Sequence, residues 1–306
     1  MLQQTQVATV IPYYHKFLAA LPTVHALSTA SLDAILKIWQ GLGYYARARS
    51  LHRAARIIVE QFGGIVPMTL QELVLLPGIG RSSAGAILNI AYLQRHPILD
   101  GNVQRILLRY FCIRGDPKEK KINAMLWGLA KQILPASRVN LFTQAIMDLG
   151  AMICLPKTPN CSLCPIQQGC QAYQKGIQET LPFRPVSKKL PHYDHVAVVI
   201  QKGESVLIRK RPENGLLGGL WEFPGGRVTT DFSETIQKEM GQKVVLTPWF
   251  EIKQTFTHFK MTLYLLRGRM KKTKMPPPFQ WVEVDQLFEY PFSLAHHKIV
   301  LKLQND

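Results

Sequence analysis

The chain has 306 residues, 37 of them Lys or Arg against 20 Asp or Glu, for a formal net charge of +17. A length of this size allows roughly two domains with their own cores, and 47% hydrophobic residues exclude a disordered chain. No apolar run is long enough to span a bilayer, and the start lacks the basic and apolar stretches of an export signal. A cytoplasmic protein with reduced cysteines, away from any membrane, is therefore expected. The cationic excess runs through both halves and favours a polyanion, of which nucleic acid is the commonest.

Residues 1–175 read as helices. Leu32, Ile35, Leu36 and Trp39 recur at helical spacing, as do Leu51, Ala54, Ala55, Ile58 and Val59. Ser31 ahead of Asp33 and Ala34 marks a helix start. Further helices are predicted over 69–75, 82–93, 101–111, 121–134 and 138–150, punctuated by Gly63-Gly64, Pro77-Gly78, Pro97 and Pro135. Residues 180–193 (TLPFRPVSKKLPHY) hold three prolines and little periodicity, which reads as a linker. After it the texture turns β-like at 195–200 (HVAVVI), 205–209 (SVLIR) and 261–267 (MTLYLLR). Residues 271–278 (KKTKMPPP) read as an exposed basic loop. The predicted division is a helical domain over 1–180, a linker over 181–193 and a smaller α+β domain over 194–306.

Four of the five cysteines, Cys154, Cys161, Cys164 and Cys170, fall in one short stretch with the spacing C-x6-C-x2-C-x5-C. Tight loops of this kind ring a small object with thiolates, either zinc or an iron–sulfur cluster. The spacing matches neither ferredoxin run and lacks the paired knuckles of a zinc ribbon. Disulfides are disfavoured by the absence of an export signal.

Upstream, 76–84 (LPGIGRSSA) leads into a helical run. Pro77 and two glycines impose a tight turn, and Gly78 and Gly80 can offer backbone N–H groups to a phosphate at the helix N-terminus. Such a hairpin grips a nucleic-acid backbone without reading sequence. Asp100 follows in 97–105 (PILDGNVQR). It is a good N-cap for the next helix. A carboxylate in that place can also stabilise the oxocarbenium-like sugar left when an N-glycosidic bond breaks.

Taken together, the cysteine loop, the hairpin and LDGNV resemble the endonuclease III superfamily of DNA glycosylases. The segments MLQQTQV, GLGYYARAR, LPGIGRSSAGAI, ILDGNV and MDLGAMIC make the chain similar to the adenine DNA glycosylases within it. The resemblance implies a mainly α helix-hairpin-helix domain with one [4Fe–4S] cluster on Cys154, Cys161, Cys164 and Cys170, followed by a Nudix-like α+β domain. It implies hydrolysis of the adenine N-glycosidic bond opposite 8-oxoguanine or guanine in double-stranded DNA, by a monomer. Asp100 and Asn102 are the implied catalytic residues.

Ser82 stands where the bifunctional branch carries the lysine of its Schiff base, and Gln104 where some relatives carry a product-trapping lysine. A monofunctional glycosylase is therefore expected. The runner-up readings are an endonuclease III-like glycosylase/lyase and an inactive mismatch-binding remnant. The resemblance also expects a general-acid glutamate two residues before Met1, so the chain as written is expected to bind mismatched DNA but excise poorly.

By the same resemblance Leu42 and Tyr44 form a wedge loop, and Gln4 and Thr5, in the first helix, enter the duplex beside the oxidised guanine. Arg47, Arg49 and Lys157 are expected to meet phosphates. The run 218–226 (GGLWEFPGG) resembles a Nudix core, but Glu234 and Glu239 lack the paired-glutamate spacing of a pyrophosphatase, which reads as a binding module. In that module Phe256, Thr257 and His258 are expected to recognise 8-oxoguanine.

Overall fold

The computed structural model describes residues 1–183, 189–229, 231–271 and 274–305. Residues 184–188 of the expected linker and 272–273 of the expected basic loop lie outside the described residues.

Helices begin where the sequence supplies a cap. After α1 (Val7–Ala20), Thr23 caps α2 (Val24–Thr29), and Ser31 caps α3 (Leu32–Trp39), its hydroxyl accepting from Ala34 N at 3.2 Å. α4 (Ala46–Phe62) ends at Gly63 in a left-handed conformation. Thr69 caps α5 (Leu70–Leu75), its hydroxyl accepting from Glu72 N and donating to the Glu72 carboxylate. Then come α6 (Arg81–Ala91), α7 (Gly101–Tyr110), α8 (Lys120–Gln132) and α9 (Val139–Asp148). One π-turn over Leu149–Ile153 delivers the chain to Cys154, and the short α10 (Gln171–Gln174) follows Cys170. Each helix foreseen from periodicity is present within a few residues. Leu51 was placed on the buried stripe of α4 but is 38% exposed; Ala54, Ala55 and Ile58 form that stripe.

The C-terminal strands are β1 (His192–Lys202), β2 (Ser205–Lys210), β3 (Trp221–Glu222), β4 (Gly225–Arg227), β5 (Val245–Thr255), β6 (Lys260–Arg269) and β7 (Phe279–Glu283). Two helices, α11 (Phe232–Met240) and α12 (Leu294–Leu303), accompany them. The sheet order is β3-β2-β1-β6-β5, with β4 added to β1 and β7 to β2. β1 and β6 are parallel and the other pairs antiparallel. β1 is a continuous apolar run because both its faces are covered. Ala197 and Val199 join a core with Ile299 and Val300 of α12, and Val196, Val198 and Ile200 join one with Ile236 and Met240 of α11. Burying each such side chain contributes roughly 1.5–3 kcal/mol. β5 carries Pro248 and a bulge, so it shows no alternation to read.

The chain forms two compact units, residues 1–64 with 189–306, and residues 65–188. Residues 1–64, assigned from sequence to the helical domain, thus group with the sheet. Their core joins Ile35, Leu36, Trp39 and Tyr45 to Leu220 from the GGLWEF run.

Candidate functional site

In the unit 65–188 the hairpin, Asp100 and the cysteine loop converge on one helix, α7. Gly78 makes the turn at φ 81°, and α6 starts at Gly80 with no side chain capping it. An uncapped N-terminus leaves amide donors that suit an anion. Arg81, the first residue of α6, lies with its guanidinium 4.0 Å from the Trp127 ring centre. Ser82 turns its hydroxyl the other way, accepting from Leu99 N at 3.0 Å, and so ties the hairpin to the residue before Asp100.

Asp100 caps α7 through Oδ1, which accepts from Val103 N at 2.8 Å. No bond to Oδ2 occurs among the described residues, and the side chain is half-buried. The capping role and the catalytic role read from sequence are therefore compatible on one carboxylate. Asn102 lies in the first turn of α7. Its Oδ1 accepts from Arg105 Nη2 at 2.8 Å, and its side chain lies where a Cβ on residue 150 would fall, so that position must be Gly.

Arg105 and Arg109, which carry no motif in the sequence, hold the cysteine loop. Both are buried on α7, at 6% and 2% exposure. Arg105 donates to Cys154 O and Gly150 O, each at 2.6 Å. Arg109 donates to Cys154 Sγ at 3.2 Å, to Leu155 O at 2.7 Å, to Pro156 O at 3.3 Å and to Leu181 O at 2.8 Å. α7 therefore carries Asp100 at its mouth and holds the start of the cysteine loop from its body. The available signal was two arginines spaced i, i+4 that flank the apolar run Ile106–Leu107–Leu108.

Cys154, Cys161, Cys164 and Cys170 line one hollow, with Arg109 and Tyr173 also on its wall. Burial raises the pKa of Cys161 and Cys164, and the neighbouring cysteines push in the same direction. Among the described residues no three His, Cys, Asp or Glu side chains are grouped to hold a single metal ion. Lys157, on the same loop, is exposed.

In the other unit the expected DNA-facing residues sort differently. Tyr44 is 47% exposed, whereas Leu42 is 6% exposed and packs in the helical core. Gln4 and Thr5 lie in the turn before α1 rather than within it. Arg47 and Arg49 are turned inward instead of standing free for phosphates. Arg49 donates to Gly218 O at 2.8 Å and Gly215 O at 3.2 Å, while Arg47 bonds the segment that bears Gln4 and Thr5. Phe256, Thr257 and His258 form the β5–β6 turn. Phe256 stacks on Phe259 at 4.6 Å, and Thr257 and His258 are exposed. The Tyr44 hydroxyl lies 3.4 Å from Thr257 Oγ1, so the wedge and this turn meet.

The Nudix-like core is closed by charge. Arg209 bonds Glu222 at 2.7 Å and also Glu239, and Arg211 bonds Glu222. The Glu239 carboxylate is thereby neutralised by an arginine. Burial alone would raise the Glu222 pKa, but His296, Arg211 and Arg209 together pull it below the ordinary value. His296 is buried, stacks on Phe223 and accepts from Phe223 N at 3.0 Å. Burial lowers its pKa from 6.5 to about 4, so it is neutral at pH 7.

The unfolded chain protonates this histidine near 6.5 and the folded chain only near 4, so stability present at neutral pH is lost as pH falls. A loss of about 2 kcal/mol is expected between pH 7 and 5. Urea midpoints at the two pH values check it, and His296→Phe should flatten the slope. An unchanged slope in that variant would remove His296 as the cause.

Residues 1–132 match the family model of the HhH-GPD superfamily base excision DNA repair protein, and residues 195–302 match the NUDIX domain. A thermostable thymine-DNA glycosylase structure is 28% identical with a TM-score of 0.51, covering 57% of this chain and 80% of that one. An endonuclease III–DNA complex shares the fold at 21% identity and a TM-score of 0.50, over 57% of this chain and 80% of that one. The fold is thus of the helix-hairpin-helix base-excision class. The adenine DNA glycosylase of Homo sapiens is 36% identical over 98% of this chain and 66% of the human protein. That of Buchnera aphidicola subsp. Baizongia pistaciae is 38% identical over 87% of this chain and 75% of its own length. The chain belongs to the adenine DNA glycosylase family.

Proposed function

We propose that the protein is a monofunctional glycosylase that hydrolyses the N-glycosidic bond of adenine mispaired with 8-oxoguanine or guanine in double-stranded DNA. The observation that carries this reading is Asp100: one oxygen caps α7, the other is uncommitted, and Ser82 beside it offers no amine. The C1′–N9 bond breaks with its electron pair leaving on adenine, which takes up a proton. The sugar cation sits against the Asp100 carboxylate, and water adds at C1′ and gives up a proton, balancing the one taken by adenine, to leave an abasic site. Tyr44, Gln4 and Thr5 would fill and inspect the opened stack, with Thr257 and His258 facing the oxidised guanine. The hairpin amides and Lys157 would hold phosphates.

The cysteine hollow fits a [4Fe–4S] cluster. All four thiols line one space, and soft thiolate donors suit an iron–sulfur core. When bound on Cys154, Cys161, Cys164 and Cys170, the cluster supplies a covalent staple for the loop that presents Lys157. In this reading the protein acts as a cytoplasmic monomer.

Single-turnover incubation with a duplex carrying adenine opposite 8-oxoguanine tests the proposal. Alkali-labile abasic sites should form at adenine, without strand nicking and without borohydride trapping of a covalent complex. Trapping would instead support the lyase reading. No product from either adenine mispair would leave a DNA-binding remnant.

A further inference from the structure

Gln4 and Tyr44 come from distant segments yet share a rare backbone state, with φ of 60° and 49°. Neither is glycine, and holding such residues in the left-handed region costs about 1–2 kcal/mol each, so the surroundings must impose it. One guanidinium lies behind both. Arg47 donates to the carbonyls of Gln3 and Gly43, the residues immediately preceding the two left-handed positions. It also reaches Met1 O at 2.6 Å and Thr5 Oγ1 at 3.0 Å, and it lies 5.1 Å from the Tyr44 ring centre and 5.7 Å from that of Trp39. Trp39 Nε1 donates to the same Gly43 carbonyl at 3.0 Å.

We propose that Arg47 is a positioning residue: it clamps the Gln4–Thr5 turn and the Tyr44 loop into one body, ordered before DNA arrives. This rests on the reading of Gln4 and Tyr44 as the side chains that inspect the opened stack. The clamp needs several donors in one plane, which arginine has and lysine lacks. Its product is selectivity, since side chains already ordered lose less freedom on meeting the correct mispair.

The competing role for an arginine on a DNA-binding protein is a phosphate contact, and salt separates the two. A phosphate contact adds about 0.9 to the slope of log affinity against log salt, and an internal clamp adds nothing. The experiment compares the full chain with Arg47→Gln and Arg47→Lys. Fluorescence anisotropy measures affinity for an undamaged duplex and for one carrying adenine opposite 8-oxoguanine, over a salt series. Amide hydrogen exchange is followed at residues 2–6 and 43–46.

Both variants are expected to keep the wild-type salt slope on undamaged DNA. Both should lose about tenfold in preference for the mispair and exchange faster in the two segments, with lysine failing to rescue. A slope reduced by about one unit, or unchanged exchange with the preference intact, would overturn the clamp. If the wild-type chain shows no preference for the mispair, the proposed function fails instead, and exchange together with the salt slope still decides the clamp.

Discussion

Asp100→Asn is expected to lower adenine excision by on the order of 10³-fold while leaving stability within about 0.5 kcal/mol of wild type. The two halves of that expectation come from the two oxygens. Oδ1 accepts from Val103 N at 2.8 Å, a bond that an asparagine side-chain oxygen makes equally well at an N-cap. What asparagine lacks is the negative charge, and a neutral amide cannot stabilise a sugar cation. A loss of 10³ corresponds to about 4 kcal/mol of barrier, within the range of a preorganised charge facing a transition state. Asp100→Ala should lose the same rate and about 1 kcal/mol of stability as well, because the cap goes too. Single-turnover excision and urea midpoints on both variants check this. An asparagine variant within tenfold of wild type would reduce Asp100 to a helix cap.

Arg109→Met is expected to destabilise the unit 65–188 by about 3–5 kcal/mol. The side chain is 2% exposed, and its fork meets Cys154 Sγ and the carbonyls of Leu155, Pro156 and Leu181. These acceptors come from both sides of the cysteine loop. Removing the donors leaves the buried Leu181 carbonyl without a partner at about 1–3 kcal/mol, strips the part-buried Leu155 and Pro156 carbonyls as well, and leaves a cavity beside the loop. Lysine should not rescue, since one ammonium cannot reach acceptors spread along a planar fork. Urea unfolding gives the magnitude, and amide exchange across residues 154–170 gives the place. A lysine variant with wild-type stability and exchange would show that charge, rather than the fork, is what the loop requires.

Much of the local structure was legible because local chemistry decides it. Ser31, Thr69 and Asp100 cap helices as side-chain oxygens at such positions do, and the apolar spacing around Leu32–Trp39 marks the buried face of α3. The hydrophobic run 196–200 became a strand buried on both faces. β5 was not legible, since Pro248 and its bulge break the period of two. The burial of Leu42 was not legible, because a leucine in a Gly-rich loop has no periodic signal to mark it until the helices around it close. Arg47 and Arg49 were misread for a related reason. Arginines on a basic chain suggest phosphate, but carbonyls from remote segments reach them first.

The sequence by itself determined the family, most helices to within a few residues, the four thiols and the carboxylate ahead of α7, because each is a matter of residue type at short spacing. Only the tertiary structure decided which polar groups are spent on the protein. It showed that Ser82 bonds the Asp100 segment and that Arg105 and Arg109 tie α7 to the cysteine loop. It also brought Tyr44 to Thr257 across more than two hundred residues. Hydrogen bonds and burial depend on which segments meet in space, and sequence spacing carries that information only within a helix turn or a hairpin.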